Sequence, residues 1–201
     1  MEQVYTNIVH EDGIKVLSLF DGMSCGMLAL IKAGIKVSRY IAFEVDVNSI
    51  KTSNHNFPFI EHRGDVMQAD FSEFLGFDLL FGGSPCTYWS RTKKNRDTDT
   101  SGMGWELFCK YVSALEKARP RFFIYENNKS MPTSIRDSIT KAFGFEPVCI
   151  NSSLVSAQNR ERLYWVGERM PDGTYRQAHI DQPRDKGIRI INVLNNIEEE
   201  T

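Results

Sequence analysis

A chain of 201 residues with 41% hydrophobic content is long enough for one globular domain and its core. The formal charge of −2 excludes a uniformly basic protein that coats nucleic acid, while leaving room for a local basic face. Four cysteines, Cys25, Cys86, Cys109 and Cys149, form no CxxC pair and no His/Cys cluster at metal-ligand spacing, so neither a metal site nor a disulfide framework is expected. Residues 1–13 are polar and acidic and read as an N-terminal extension, without the apolar centre of a signal peptide. No apolar run approaches membrane-spanning length, and the expectation is a soluble protein of a reducing cytoplasm with no membrane partner.

From residue 14 onward, apolar runs of strand length alternate with longer amphipathic segments, the pattern of an α/β fold with a mostly parallel sheet. Strands are expected at 15–20, 38–43, 77–81, 121–125, 146–151 and 163–167, with a short one near Ile60. Helices are expected at 26–33, stopping at Gly34, and at 47–56, ending before Pro58. In 134–143 the residues Ile135, Ile139, Ala142 and Phe143 make one helical stripe facing a sheet. Two stretches break the alternation. Residues 88–104 carry Arg91, Lys93, Lys94 and Arg96 among Ser, Thr, Asp and Gly and read as a mobile loop, either a solvated insertion or a lid that contacts phosphate. The tail, 171–201, is rich in Pro, Gly, Asp and Arg around a single apolar run, 188–194.

The run Phe77-Asp-Leu-Leu-Phe-Gly-Gly-Ser-Pro-Cys86 stops a strand at two glycines and fixes the backbone with a proline just before a thiol. This setting presents Cys86 at the mouth of a sheet, although a lone cysteine is more often a small buried hydrophobe. Asp21, Gly22 and Gly26 bracket the turn after the first strand, where glycines let the backbone approach a ligand or simply make the turn. Glu44 ends the second strand, the position from which an acid accepts hydrogen bonds from ribose hydroxyls. Asp65 is a third acceptor, or a turn residue. Glu126 ends its strand as a candidate proton donor or an ion-pair partner. Arg160 and Arg162 share one face of an extended segment, as anion ligands or as surface charge.

In this order, residues 17–26 (Leu-Ser-Leu-Phe-Asp-Gly-Met-Ser-Cys-Gly), 77–86, 125–127 (Tyr-Glu-Asn) and 158–162 (Gln-Asn-Arg-Glu-Arg) resemble the motif series of the cytosine-C5 DNA methyltransferases, which use S-adenosylmethionine. The resemblance runs from about Lys15 to Gly167 and implies a Rossmann-like methyltransferase fold with helices on both faces of the sheet, a catalytic domain over 14–170 and S-adenosylhomocysteine as product. It implies that Phe20, Asp21 and Gly22 form the cofactor motif, that Glu44 binds the ribose and Asp65 the adenine amine, that Val45 and Pro85 flank the adenine, and that Trp105 lines the pocket. It further implies Cys86 as nucleophile, Glu126 as the acid that protonates the ring, Arg160 and Arg162 as site arginines, and a base flipped out of duplex DNA. The chemistry is coherent: C5 of cytosine becomes reactive only after a nucleophile adds at C6, and a thiolate both attacks well and leaves again.

The family usually has an apolar residue where this chain has Asn128. After Gly167 no segment resembles its target-recognition region or its closing motifs, and Arg189–Leu194 reads as a lead-in to that region. The expectations are therefore a truncated piece, one half of a split enzyme completed by a second chain, or a degenerate relative. Alternative functions are a non-catalytic subunit that binds S-adenosylmethionine or DNA, and the same chemistry on structured RNA. The acidic tail Glu198-Glu-Glu200 would repel DNA.

Overall fold

Among the described residues, eight strands form one sheet in the order β3-β2-β1-β4-β5-β7-β6, with β8 paired to β7. They are β1 (Val9–Leu19), β2 (Val37–Phe43), β3 (Glu61–His62), β4 (Leu79–Gly82), β5 (Phe122–Asn128), β6 (Val148–Asn151), β7 (Glu161–Arg169) and β8 (Tyr175–Gln177). The helices are α1 (Cys25–Lys32), α2 (Val47–Asn56), α3 (Met103–Ala118), α4 (Thr133–Phe143) and α5 (Ile190–Glu198). The computed structural model describes residues 5, 9–92 and 94–198; Lys93 of the polar loop and Glu199 and Glu200 of the acidic tail lie outside the described residues.

The strands β1 to β5 are parallel, and β7 runs antiparallel to β5, β6 and β8. The central strands are buried on both faces, which is why they read as continuous apolar runs. On β1, Leu17 and Leu19 join the core made with α3 and α4, whereas Val16 joins the core on the opposite face with Met27 and Leu30 of α1. Helices thus cover both faces, as the Rossmann-like expectation required. The chain builds outward from β1 through β2 to β3, then restarts on the other side of β1 with β4. That reversal opens a crevice at the C-terminal ends of β1 and β4, where open α/β sheets place ligands.

Most expected elements are present with shifted ends. β1 begins at Val9, β5 continues to Asn128, and β7 extends to 161 and 169, because polar residues at these strand ends interrupt the apolar pattern, exposed in β1 and β7 and buried as Asn127 and Asn128 in β5. Glu126 therefore lies inside its strand and not at the end. β8 continues the sheet into the tail, and α5 covers most of the apolar run at 188–194. The stretch expected as a mobile loop is fastened to the body: Arg96 donates to the carbonyls of Trp89 and Ser130, and Ser134 Oγ donates to the carbonyl of Thr98. Trp89 in that stretch is fully buried and supplies its apolar anchor.

Candidate active site

Phe20, Glu44, Val45, Asp65 and Pro85 line one cavity of about 350 Å³ at the crevice, together with Tyr88, Met103 and Leu107. Glu44 joins the turn after β1 to the turn after β2. Its Oε2 accepts the Gly22 amide at 2.8 Å, and its Oε1 accepts the amides of Val45 and Asp46. Gly22 has a left-handed backbone with φ of 59°, which glycine adopts without strain. Asp65 caps a short 3₁₀ turn through the Met67 amide.

Asp21, Gly22, Gly26 and Trp105, also expected at a cofactor site, are not among the residues that line this cavity. The Asp21 carboxylate turns inward and accepts from the hydroxyls of Ser18, Ser24 and Tyr40, so it organises the turn. Gly26 lets α1 approach β2, since a Cβ there would lie 3.0 Å from the Tyr40 hydroxyl. Trp105 packs on Phe108, with ring centroids 4.8 Å apart. From α3 it is Met103 and Leu107, four residues apart on one helical face, that reach the cavity.

On the next two strands, the loop from Gly82 to Cys86 lies against the backbone of β5. A Cβ on Gly83 would stand 2.1 Å from the Glu126 carbonyl oxygen, so only glycine permits this approach. Ser84 Oγ and the Tyr125 hydroxyl are 2.6 Å apart, and Asn127 Nδ2 donates to the Ser84 carbonyl at 3.0 Å. Cys86 then opens a 3₁₀ turn whose first carbonyl accepts the amides of Trp89 and Ser90, leaving the thiol partly exposed. Neither Ser84 nor the Tyr125 hydroxyl was visible as a site group in the sequence. A serine in a turn and a tyrosine in an apolar strand look ordinary until the fold pairs them.

The reversal of β7 carries its first residues to the same edge of the sheet, where Arg162 stands opposite Asn128. Arg162 Nε lies 2.8 Å from Glu126 Oε1. Burial pushes the Glu126 carboxyl above the usual carboxylate range, against the opposing pull of Arg162 and Arg160. Arg160 and Arg162 also line a polar cavity of about 500 Å³ with Arg91, Asn128 and Gln158. Asn128 is buried and satisfied there, its Nδ2 donating to Asn127 and its Oδ1 accepting from Ser130 Oγ. Pro85 and Tyr88 line the first cavity and Arg91 the second, so the segment that carries Cys86 runs between the two. Among the described residues no group of three or more His, Cys, Asp or Glu is placed to hold a metal, and no helix is long and apolar enough to cross a membrane.

The fold is thus a mostly parallel sheet with an acid-lined cavity at its switch point, a partly exposed thiol on the loop that rests against β5, and on β5 a half-buried acid paired with an arginine, on a Rossmann-like frame. The chain belongs to the C-5 cytosine-specific DNA methylase family, whose model matches residues 14–201. It is 32% identical over 169 residues to the orphan methyltransferase M.SPRI of Bacillus phage SPR, covering 78% of this chain and 38% of that protein. With the type II methyltransferase M1.ScrFI of Lactococcus lactis subsp. cremoris it shares 29% identity over 198 residues, 91% of this chain and 49% of that one. The fold matches a solved E. coli structure assigned as a prophage-encoded DNA modification methyltransferase, with a TM-score of 0.59 and 23% identity over 85% of this chain and 52% of that chain. The chain spans between a third and a half of the length of the curated relatives named.

Proposed function

We propose that this chain carries the reacting centre of an enzyme that methylates C5 of cytosine in duplex DNA, with S-adenosylmethionine as methyl donor. The observation that supports it most is that the loop carrying the partly exposed Cys86 thiol rests on the backbone of Glu126, whose half-buried carboxylate pairs with Arg162. The cavity at the crevice suits an adenosine: Phe20, Val45, Pro85 and Leu107 give it apolar walls, and Glu44 and Asp65 give it acceptors for hydroxyls and an exocyclic amine. When bound, S-adenosylmethionine supplies an electrophilic methyl group.

In this reading the Cys86 thiolate adds to C6 of a cytosine flipped out of the helix, and Glu126 delivers a proton to N3 so that negative charge does not build on the ring. Burial suits Glu126 to that role, since it holds the carboxyl closer to a value at which the acid form is available. Arg162 orients Glu126, and Arg160 with Arg91 offers cations to the base carbonyl or to a phosphate. C5 then takes the methyl group as the demethylated cofactor leaves, and loss of the C5 proton, departure of the thiolate and return of the N3 proton to Glu126 restore the ring and free Cys86. Duplex DNA carrying 5-fluorocytosine tests the assignment, because fluorine at C5 blocks that final elimination. Incubated with the cofactor and supplied with a recognition region from a further segment or a second chain, the wild type should form a stable adduct that peptide mapping places on Cys86, and Cys86→Ala should form none. An adduct with the Ala variant, or a methyl transferred to transfer RNA and not to DNA, would sink the proposal.

A further inference from the structure

We propose that the hydroxyls of Ser84 and Tyr125 form a clamp that positions the Cys86 thiol relative to Glu126, an inference that rests on the reading of Cys86 as nucleophile. Ser84 stands two residues before Cys86, and Tyr125 immediately precedes Glu126 in β5. Each is almost wholly buried, with 2% exposure for Ser84 and none for Tyr125. Two hydroxyls buried together gain little from hydrophobic transfer, and each recovers its desolvation cost chiefly through the other. Such a pair specifies a geometry. Asn127 Nδ2 lies 3.5 Å from the Tyr125 oxygen as a third member, and within the pair either hydroxyl can donate. Burial pushes the Tyr125 phenol well up, so it keeps its proton across the working pH range.

The tyrosine ring cannot swing. It packs between Phe108 and Tyr111 of α3, at centroid distances of 5.3 and 4.8 Å, and meets Trp165 of β7 at 5.8 Å. The clamp therefore refers the Cys86 turn to the rigid core and not to the polar segment that follows it. The reaction needs this reference, because sulfur must reach C6 while Glu126 reaches N3 of the same ring. A displacement of about 1 Å at such a centre can cost about a hundredfold in rate. Ser84 and Tyr125 are positioning residues and touch no reacting atom.

The test uses Tyr125→Phe, Ser84→Ala and their double variant in the full chain. Phe keeps the ring and the aromatic packing, so the melting temperature should stay near that of the wild type. We expect single-turnover adduct formation on 5-fluorocytosine DNA to slow about tenfold, with cofactor affinity unchanged. The double variant should be no slower than the worse single one. In parallel, hydrogen exchange at the amides of Trp89 and Ser90, which close the Cys86 turn, should quicken in Tyr125→Phe and stay unchanged in the first turn of α1. Wild-type adduct rates in the variants, or additive losses in the double variant, would overturn the clamp. Should the wild type, supplied with a recognition region, form no adduct at all, the reading of Cys86 as nucleophile fails by itself, and the exchange measurement still decides: unchanged exchange at Trp89 and Ser90 refutes the clamp, and quickened exchange supports it.

Discussion

Gly83→Ala tests whether the Cys86 loop rests on β5 as described. The added carbon would lie 2.1 Å from the carbonyl oxygen of Glu126 and 3.0 Å from its carbonyl carbon. Both are backbone atoms of a strand held on either side by β4 and β7, so β5 has no room to yield. The loop must lift instead, which stretches the Ser84–Tyr125 bond and the Asn127 bond to the Ser84 carbonyl. Overpacking of this kind costs about 1–3 kcal/mol. Loosening two buried hydrogen bonds adds about 0.5–1.5 kcal/mol each if both are lost. A total near 3 kcal/mol corresponds to a melting temperature lower by roughly 6–12 °C for a chain of this size. Differential scanning calorimetry measures it, with adduct formation on 5-fluorocytosine DNA as the functional readout. A melting temperature within about 2 °C of the wild type, a shift worth under 1 kcal/mol, would show that the loop does not lie on the Glu126 backbone and that the reasoning is wrong.

Two further outcomes follow from the carboxylates. Because burial raises the folded-state pKa of Glu126, the folded protein binds more protons there than the unfolded chain, and this group's contribution to stability falls as pH rises from the ordinary carboxylate value through the raised one. Urea melts between acid and neutral pH should show the wild type losing stability relative to Glu126→Gln across that window and running parallel to it above; a difference that grows in the opposite direction would refute the burial argument. Glu44→Ala removes the acceptor of the Gly22, Val45 and Asp46 amides and, by proposal, of a ribose hydroxyl. Calorimetry should show weaker binding of S-adenosylmethionine by about 1.5–3 kcal/mol, and unchanged affinity would place the ribose elsewhere.

Much of the fold was legible because its central strands are buried on both faces and so appear as uninterrupted apolar runs. The helix Val47–Asn56 was legible at both ends, with Asp46 accepting the Ser49 amide at its start and Pro58 just beyond its finish. The helix α3 was not assigned, since its first residue follows a polar stretch and its cap, Gly102, contributes no side-chain hydrogen bond. The direction of β7 was written in the chain but passed over. Residues 152–160 between β6 and β7 are too few for a parallel crossover, which needs about a dozen or more. That short connection forces β7 to run backwards, and the reversal is what places Arg162 beside Glu126.

The site was legible as residue types and much less as orientations. Three carboxylates follow or flank strand ends, and the sequence gives no sign of which way each one faces. Asp21 has hydroxyls three residues away on either side, Ser18 and Ser24, and a third arrives from Tyr40 on β2; together these occupy it inside the turn. Its part in any cofactor site is then to hold the shape that lets the Gly22 amide reach Glu44. Glu44 accepts three backbone amides, yet a carboxylate offers about four lone-pair positions, so it can hold the turn and still accept from a hydroxyl. The same logic separates Trp105 from Met103 and Leu107. A two-residue step on a helix rotates a side chain by about 200°, so a tryptophan that packs on Phe108 is turned away from the cavity its neighbours line. Positions on a chain can be matched motif by motif, but the direction of a side chain is set by partners that only the folded neighbourhood supplies.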